Sequence, residues 1–121
     1  MISFTIEEAY NTVKTHLEAG GKRSVRQFDG GCQLCSYRGD DGTKCFVGVM
    51  IPDDKYYPEF ERGMSARSMV ANKIIKGSVD FGYALSDLQE LHDNPLYWNE
   101  DGSFNGYDSL DTWYSVNRSV V

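Results

Sequence analysis

Six arginines carry the most useful chemistry in this sequence: Arg23, Arg26, Arg38, Arg62, Arg67 and Arg118. A guanidinium grips phosphate through two parallel hydrogen bonds and stacks on flat bases, so it suits a nucleotide better than a lysine ammonium does. Several stand near aromatic residues along the chain: Arg26 by Phe28, Arg38 after Tyr37, and Arg62 after Tyr56, Tyr57 and Phe60. Any one of them alone fits an ordinary surface charge. As a group, placed near expected turns and element ends, they point to a pocket for a nucleotide ligand.

The other reactive side chains form weaker patterns. Cys32 and Cys35 make a C-x-x-C, and Cys45 follows. Thiolates at that spacing can converge on zinc, with Cys45 third and His92 as the one plausible fourth ligand, His16 lying mid-helix. A redox dithiol wants a helix N-terminus, whereas this pair falls on an apparent strand. Reduced, buried cysteines acting as small apolar residues are the reading the spacing favours. His92 and Asp93 are an acid/base pair on paper, yet neighbours on a helix point in different directions. Asp53, Asp54, Glu59 and Glu61 fit a solvated loop better than a cation site. There is no nucleophile elbow, phosphate loop or metalloprotease histidine pair. No catalytic residue, metal or cofactor is assigned, and the expectation is a protein that is not an enzyme.

Composition narrows the classes further. The chain has 121 residues and a net charge of −6, from 12 basic and 18 acidic residues. Proteins that coat a nucleic-acid duplex draw on a basic excess to displace phosphate counterions, and that excess is missing here. A small anionic ligand remains compatible, because a few well-placed arginines can dominate one pocket. No apolar run reaches the roughly 18 residues of a spanning helix. The N-terminal stretch carries acids rather than a basic region followed by an apolar one, so a cytoplasmic protein is expected. Aromatic residues make up 13%, enough for ring stacking as well as core filling.

These residues need elements to hold them. Thr5 and Glu8 have capping-box spacing, and Ile6, Ala9, Tyr10, Val13 and Leu17 then recur at helical spacing up to Gly20-Gly21. Residues 33–38 and 43–51 read as strands around a Gly39-Asp40-Asp41-Gly42 turn, a hairpin signal. Gly48 inside the second run marks a bulge or a close backbone approach. Ser65 caps an expected helix running to about Ile75, ended by Gly77. Ser86 and Gln89 open a short helix to about His92, broken by Asn94-Pro95. Asp108 or Ser109 caps the last helix. The expectation is one α+β domain over residues 1–121, an antiparallel hairpin or sheet packed against several helices.

The stretch Cys35-Ser36-Tyr37-Arg38-Gly39 through Asp41-Gly42-Thr43-Lys44-Cys45 and on to Ile51-Pro52-Asp53 carries a resemblance. Gly20-Gly21-Lys22-Arg23-Ser24 precedes it. Tyr57-Pro58-Glu59, Gly63-Met64-Ser65, Leu88, Leu91-His92-Asp93 and Trp98 extend it, so it covers about residues 20 to 98. The pattern resembles the phage Thoeris anti-defence proteins of the "sponge" type. Phe46, Val49 and Met50 stand where that family would have Ala, Cys and Leu, which keeps the run apolar.

The resemblance implies a phage or prophage protein acting in the host cell cytoplasm. It would sequester, without cleaving, the glycocyclic ADP-ribose signal made by a TIR-domain defence system, and so prevent activation of the Thoeris effector. It also implies a homodimer, in some members a hexamer that holds cyclic di- or tri-nucleotides too. Within that reading Arg23, Arg26, Arg38, Arg62 and Arg118 are the phosphate or base partners, and Trp98 and Phe104 the stacking surfaces. Met64 and Ser65 would offer the free amides of a helix N-terminus. Two other classes stay open: a phosphodiesterase degrading the same signal through His92, Asp93 and the Asp53 region, and a zinc-stabilised protein-interaction module.

Overall fold

Thr5 begins the first helix as its spacing predicts. Its hydroxyl accepts from the Glu8 amide while the Glu8 carboxylate accepts from the Thr5 amide, and α1 runs Ile6–Glu18 with Ile6, Ala9, Val13 and Leu17 buried. A computed structural model describes residues 1–27 and 33–121, with the backbone alone at 25–27, 33–35 and 41. After α1 come strands β1 (Val25–Gln27) and β2 (Gln33–Cys35) and helices α2 (Phe46–Val49), α3 (Ala66–Ala71), α4 (Val79–Asp93) and α5 (Tyr107–Asn117). Short 3₁₀ turns cover Asp40–Gly42, Asp53–Lys55, Pro58–Glu61 and Pro95–Tyr97.

The expected α+β fold does not form. Helix accounts for 56% and strand for 6% of the interpretable residues. The turn at Gly39–Gly42 is present, closed by the Gly39 amide on the Thr43 carbonyl. Pairing then stops at a single Arg38–Lys44 bridge. The run 43–51, expected as a strand, turns helical at Phe46 instead. The strand pairing that does occur joins β1 and β2, three residues each, antiparallel with Val25 opposite Cys35.

Local chemistry explains the switch. An all-apolar run has no period to separate strand from helix. Here Cys45 acts as a cap, its Sγ accepting from the Gly48 amide at 3.2 Å. The Val47 amide, otherwise without a partner in the first turn, donates to Gln89 Oε1 at 3.1 Å. Gly48 does mark a close approach: a Cβ there would press into the Tyr37 carbonyl oxygen.

Two other boundaries move. Ser65 caps α3 as expected, but the helix ends at Ala71, with Lys73 left-handed at φ 59°. Ile75 instead bridges Ile2 in parallel. Helix α4 starts eight residues before the expected site, capped by Ser78, whose hydroxyl accepts from the Phe81 amide. Ser86 is therefore interior. Gly82 faces α3, where a Cβ would sit in ordinary van der Waals contact with the Arg67 Cα and the Val70 side chain at 3.4 Å. The stop at Asn94-Pro95 is as read from the sequence.

Helix α4 is the axis of the core. It packs against α3, α5 and α2, while α1 closes over α5 and α2. Phe81, Ala84, Leu85 and Leu88 supply its buried side. No helix among the described residues is long and apolar enough to cross a membrane. Gly48→Ala should lower stability by about 1–3 kcal/mol, the usual cost of overpacking, read as a fall in the urea midpoint at unchanged slope. An unaltered midpoint would contradict the close approach.

Candidate functional site

An open cleft of about 540 Å³ lies between residues 60–67 and the outer face of α4. Its depth is formed by Tyr37, Cys45 and Gln89, one wall by Glu61 and Met64–Arg67, the other by Tyr83, Asp87, Glu90 and Asp93.

The first wall is pinned at two points. Glu61 accepts from the amides of Tyr37 and Arg38 at 3.1 and 2.9 Å and from the Tyr56 hydroxyl at 2.7 Å. The Tyr37 hydroxyl donates to the Met64 carbonyl at 2.5 Å. The second wall comes from helical spacing, since Tyr83, Asp87 and Glu90 fall at i, i+4 and i+7. Arg67 joins the two, its guanidinium 4.8 Å from the centre of the Tyr83 ring.

The deep end is built on His92, which is 0% exposed. Its Nε2 accepts from the Ser24 amide at 2.8 Å, so the ring proton sits on Nδ1 and is donated to Asp93 Oδ1 at 2.9 Å. Gln89 Nε2 donates to the same carboxylate oxygen at 3.1 Å. Burial lowers the His92 pKa, against the raising influence of Asp93. The Cys45 thiol is pushed up to about 12, mainly by burial, and burial likewise raises Tyr37. At neutral pH these three groups are uncharged. Both nitrogens of His92 are engaged, leaving none aimed at a ligand proton.

Of the residues assigned to a ligand from sequence, Met64 and Ser65 line the cleft. Ser65 also spends its hydroxyl on the Ser68 amide. Arg23 is turned to structure, donating to the Asp93 carbonyl at 2.6 Å. Arg38 is committed more deeply: it donates to the carbonyls of Gly48 and Ile51 at 2.6 and 2.7 Å, pairs with Asp53 at 3.2 Å and stacks 4.8 Å from the Tyr56 ring centre. Trp98 donates its Nε1 to the His92 carbonyl at 2.8 Å. Its ring meets Phe104, His92 and Phe46 edgewise or tilted, and Phe104 is 7% exposed. Phe104 belongs to the core and the half-buried Trp98 packs against it. Arg62 and Arg118 are exposed and lie outside the cleft lining. The Arg26 side chain, Phe28, Cys32 and the Cys35 side chain fall outside the description, and with them the zinc reading of the C-x-x-C. Among the described residues no group of three or more His, Cys, Asp or Glu is gathered as for a metal.

Sequence reasoning missed Tyr83, Asp87 and Glu90, read Glu61 as a solvated-loop acid and Gln89 as part of a helix cap, and passed over Arg67 among the arginines. Starting α4 at Ser78 would have exposed the shared face of 83, 87 and 90. The chain matches no protein-family model, no curated protein sequence and no solved structure.

Two outcomes follow. Arg38→Ala should cost about 2–4 kcal/mol in urea denaturation, since it removes several charge-assisted hydrogen bonds, while Arg62→Ala should stay within about 0.5 kcal/mol. Equal effects would refute the structural role of Arg38. In addition, His92 has a folded pKa below its ordinary value of 6.5, so the unfolded chain binds the proton more readily. Its stabilising contribution is full above about pH 6.5 and is lost as pH falls below that toward the folded value. His16, also lowered by burial, acts in the same direction. His92→Gln should be less stable at neutral pH yet lose less between about pH 7.5 and 5.5 than the unsubstituted protein does.

Proposed function

We propose that this chain is a binding protein that captures a glycocyclic ADP-ribose signal in the cleft and holds it uncleaved, as a phage or prophage inhibitor of Thoeris defence in the host cytoplasm. The observation that supports this reading is the division of labour in the cleft. Glu61, Gln89, Tyr37 and His92 are committed to holding the walls, while Arg67, Asp87 and Glu90 present donors and acceptors with no hydrogen bond or ion pair to another described residue. Such a surface offers a ligand one anion donor and two hydroxyl acceptors. Of the phosphodiesterase candidates His92, Asp93 and the Asp53 region, His92 has its nitrogens tied to Ser24 and Asp93, the Asp93 carboxylate accepts from His92 and Gln89, and Asp53 pairs with Arg38.

Two phosphates ask for more cation than Arg67 alone supplies. The exposed Arg62 and Arg118 could be delivered by a second copy, so a homodimer belongs to the proposal. Holding a signal at nanomolar levels needs about −12 kcal/mol, within reach of several charge-assisted bonds and a stacked ring in a preorganised cleft.

The decisive experiment mixes the protein with glycocyclic ADP-ribose, removes the protein by filtration, heats the retained fraction and analyses the release by mass spectrometry. Depletion followed by recovery of intact ligand is expected. Fragments would establish the phosphodiesterase, and absence of depletion would overturn the reading.

A further inference from the structure

The open polar groups of the cleft are arranged by sign along α4. Arg67 lies over Tyr83, and Glu90 stands seven residues later on the same helix face, about 10 Å along the axis at 1.5 Å per residue. Asp87 lies between them. Neither carboxylate has an ion pair or hydrogen bond to a described residue, and neither is neutralised by Arg67, whose guanidinium is turned onto the Tyr83 ring. That ring fixes the guanidinium plane and leaves its N–H edge for an anion. Beyond Glu90, Asp93 continues the negative side.

Resting on the binding reading above, we propose that the cleft takes its ligand in one direction: the anionic edge at Arg67 and sugar hydroxyls donating to Asp87 and Glu90. The ligand class is then a riboside whose phosphates lie along one edge. A macrocycle with phosphodiesters on opposite edges would set one of them against the two carboxylates, and is rejected. A carboxylate is a strong acceptor for a hydroxyl donor and a repulsive neighbour for a phosphate, so the same pair selects for one ligand and against the other.

Calorimetric titration of the full chain with glycocyclic ADP-ribose, AMP and cyclic di-AMP tests this, with Arg67→Gln and the double variant Asp87→Asn/Glu90→Gln beside the unsubstituted protein. All three positions lie on exposed surface, and melting curves check that the fold is kept. The unsubstituted protein should bind the first two probes at least about tenfold more tightly than cyclic di-AMP. Arg67→Gln should weaken both by about tenfold or more. The double variant should weaken both by about fivefold, the difference between a charged and a neutral acceptor, and tighten cyclic di-AMP. A double variant that tightens all three probes, or changes none, overturns the proposal. Binding of AMP in the expected pattern without glycocyclic ADP-ribose upholds the polarity and removes the identity of the signal. Binding of neither removes both.

Discussion

The C-terminal end of α4 is half-buried around a fully buried His92, and a helix end cannot leave water with its carbonyls bare. Most of the tertiary structure around the cleft follows from that constraint. The Glu90 carbonyl is met by the Asn94 amide, the His92 carbonyl by the Trp98 indole, and the Asp93 carbonyl by Arg23. Asn94 and Trp98 come from the segment just past the helix and Arg23 from far earlier in the chain, so satisfying one helix end draws residues 23–24 and 94–98 to the same place. His92 then completes the knot from the side. As a neutral imidazole it has one acceptor and one donor, and it spends them on Ser24 and Asp93. A second proton would face the Ser24 N–H with another donor, which is why burial and geometry both hold the ring neutral.

The same logic accounts for the arginines. A guanidinium is planar, permanently charged and supplied with five donors. Those properties serve a phosphate, and they serve equally well a group of carbonyls left over at helix ends. Arg38 gathers the carbonyls of Gly48 and Ile51 and the carboxylate of Asp53 with its face on Tyr56. This holds the short α2 in place against the segment that forms one wall of the cleft. An arginine beside aromatic residues in sequence is thus consistent with either task, and only its neighbours in space distinguish them.

How much of this could be read in the sequence depends on whether the determining contact is local. The α1 cap, the Ser65 cap, the turn at Gly39–Gly42 and the stop at Asn94-Pro95 are set within a few residues, and they stand where the spacing puts them. The conformation of 46–49 is set by the Cys45 cap together with Gln89, far along the chain, which accepts from the Val47 amide. No local rule contains that bond, and the apolar run looks like a strand without it. The start of α4 was hidden differently: Gly77 resembled a terminator and Ser86 with Gln89 a later cap, when the helix is capped by Ser78. Losing those eight residues also hid the face that carries Tyr83, Asp87 and Glu90. The candidate site was therefore legible only at Met64 and Ser65.

A net charge of −6 does not settle what the cleft can hold, because exposed charges beyond about 8–10 Å are largely screened at physiological salt. What a ligand senses is the sign of the nearest few groups. Tyr83, which carries Arg67 over its ring, and Glu90 are about two turns of helix apart, roughly one screening length, so the two signs act at different ends of the cleft. Committed side chains such as Glu61 add less to that local field than their charge suggests, since hydrogen bonds from backbone amides already neutralise part of it. The cleft thus behaves as a dipolar surface held by a rigid frame. Rigidity matters as much as sign: a wall tied down by Glu61 and Tyr37 has little ordering left to undergo, which lowers the entropic cost of holding any ligand there.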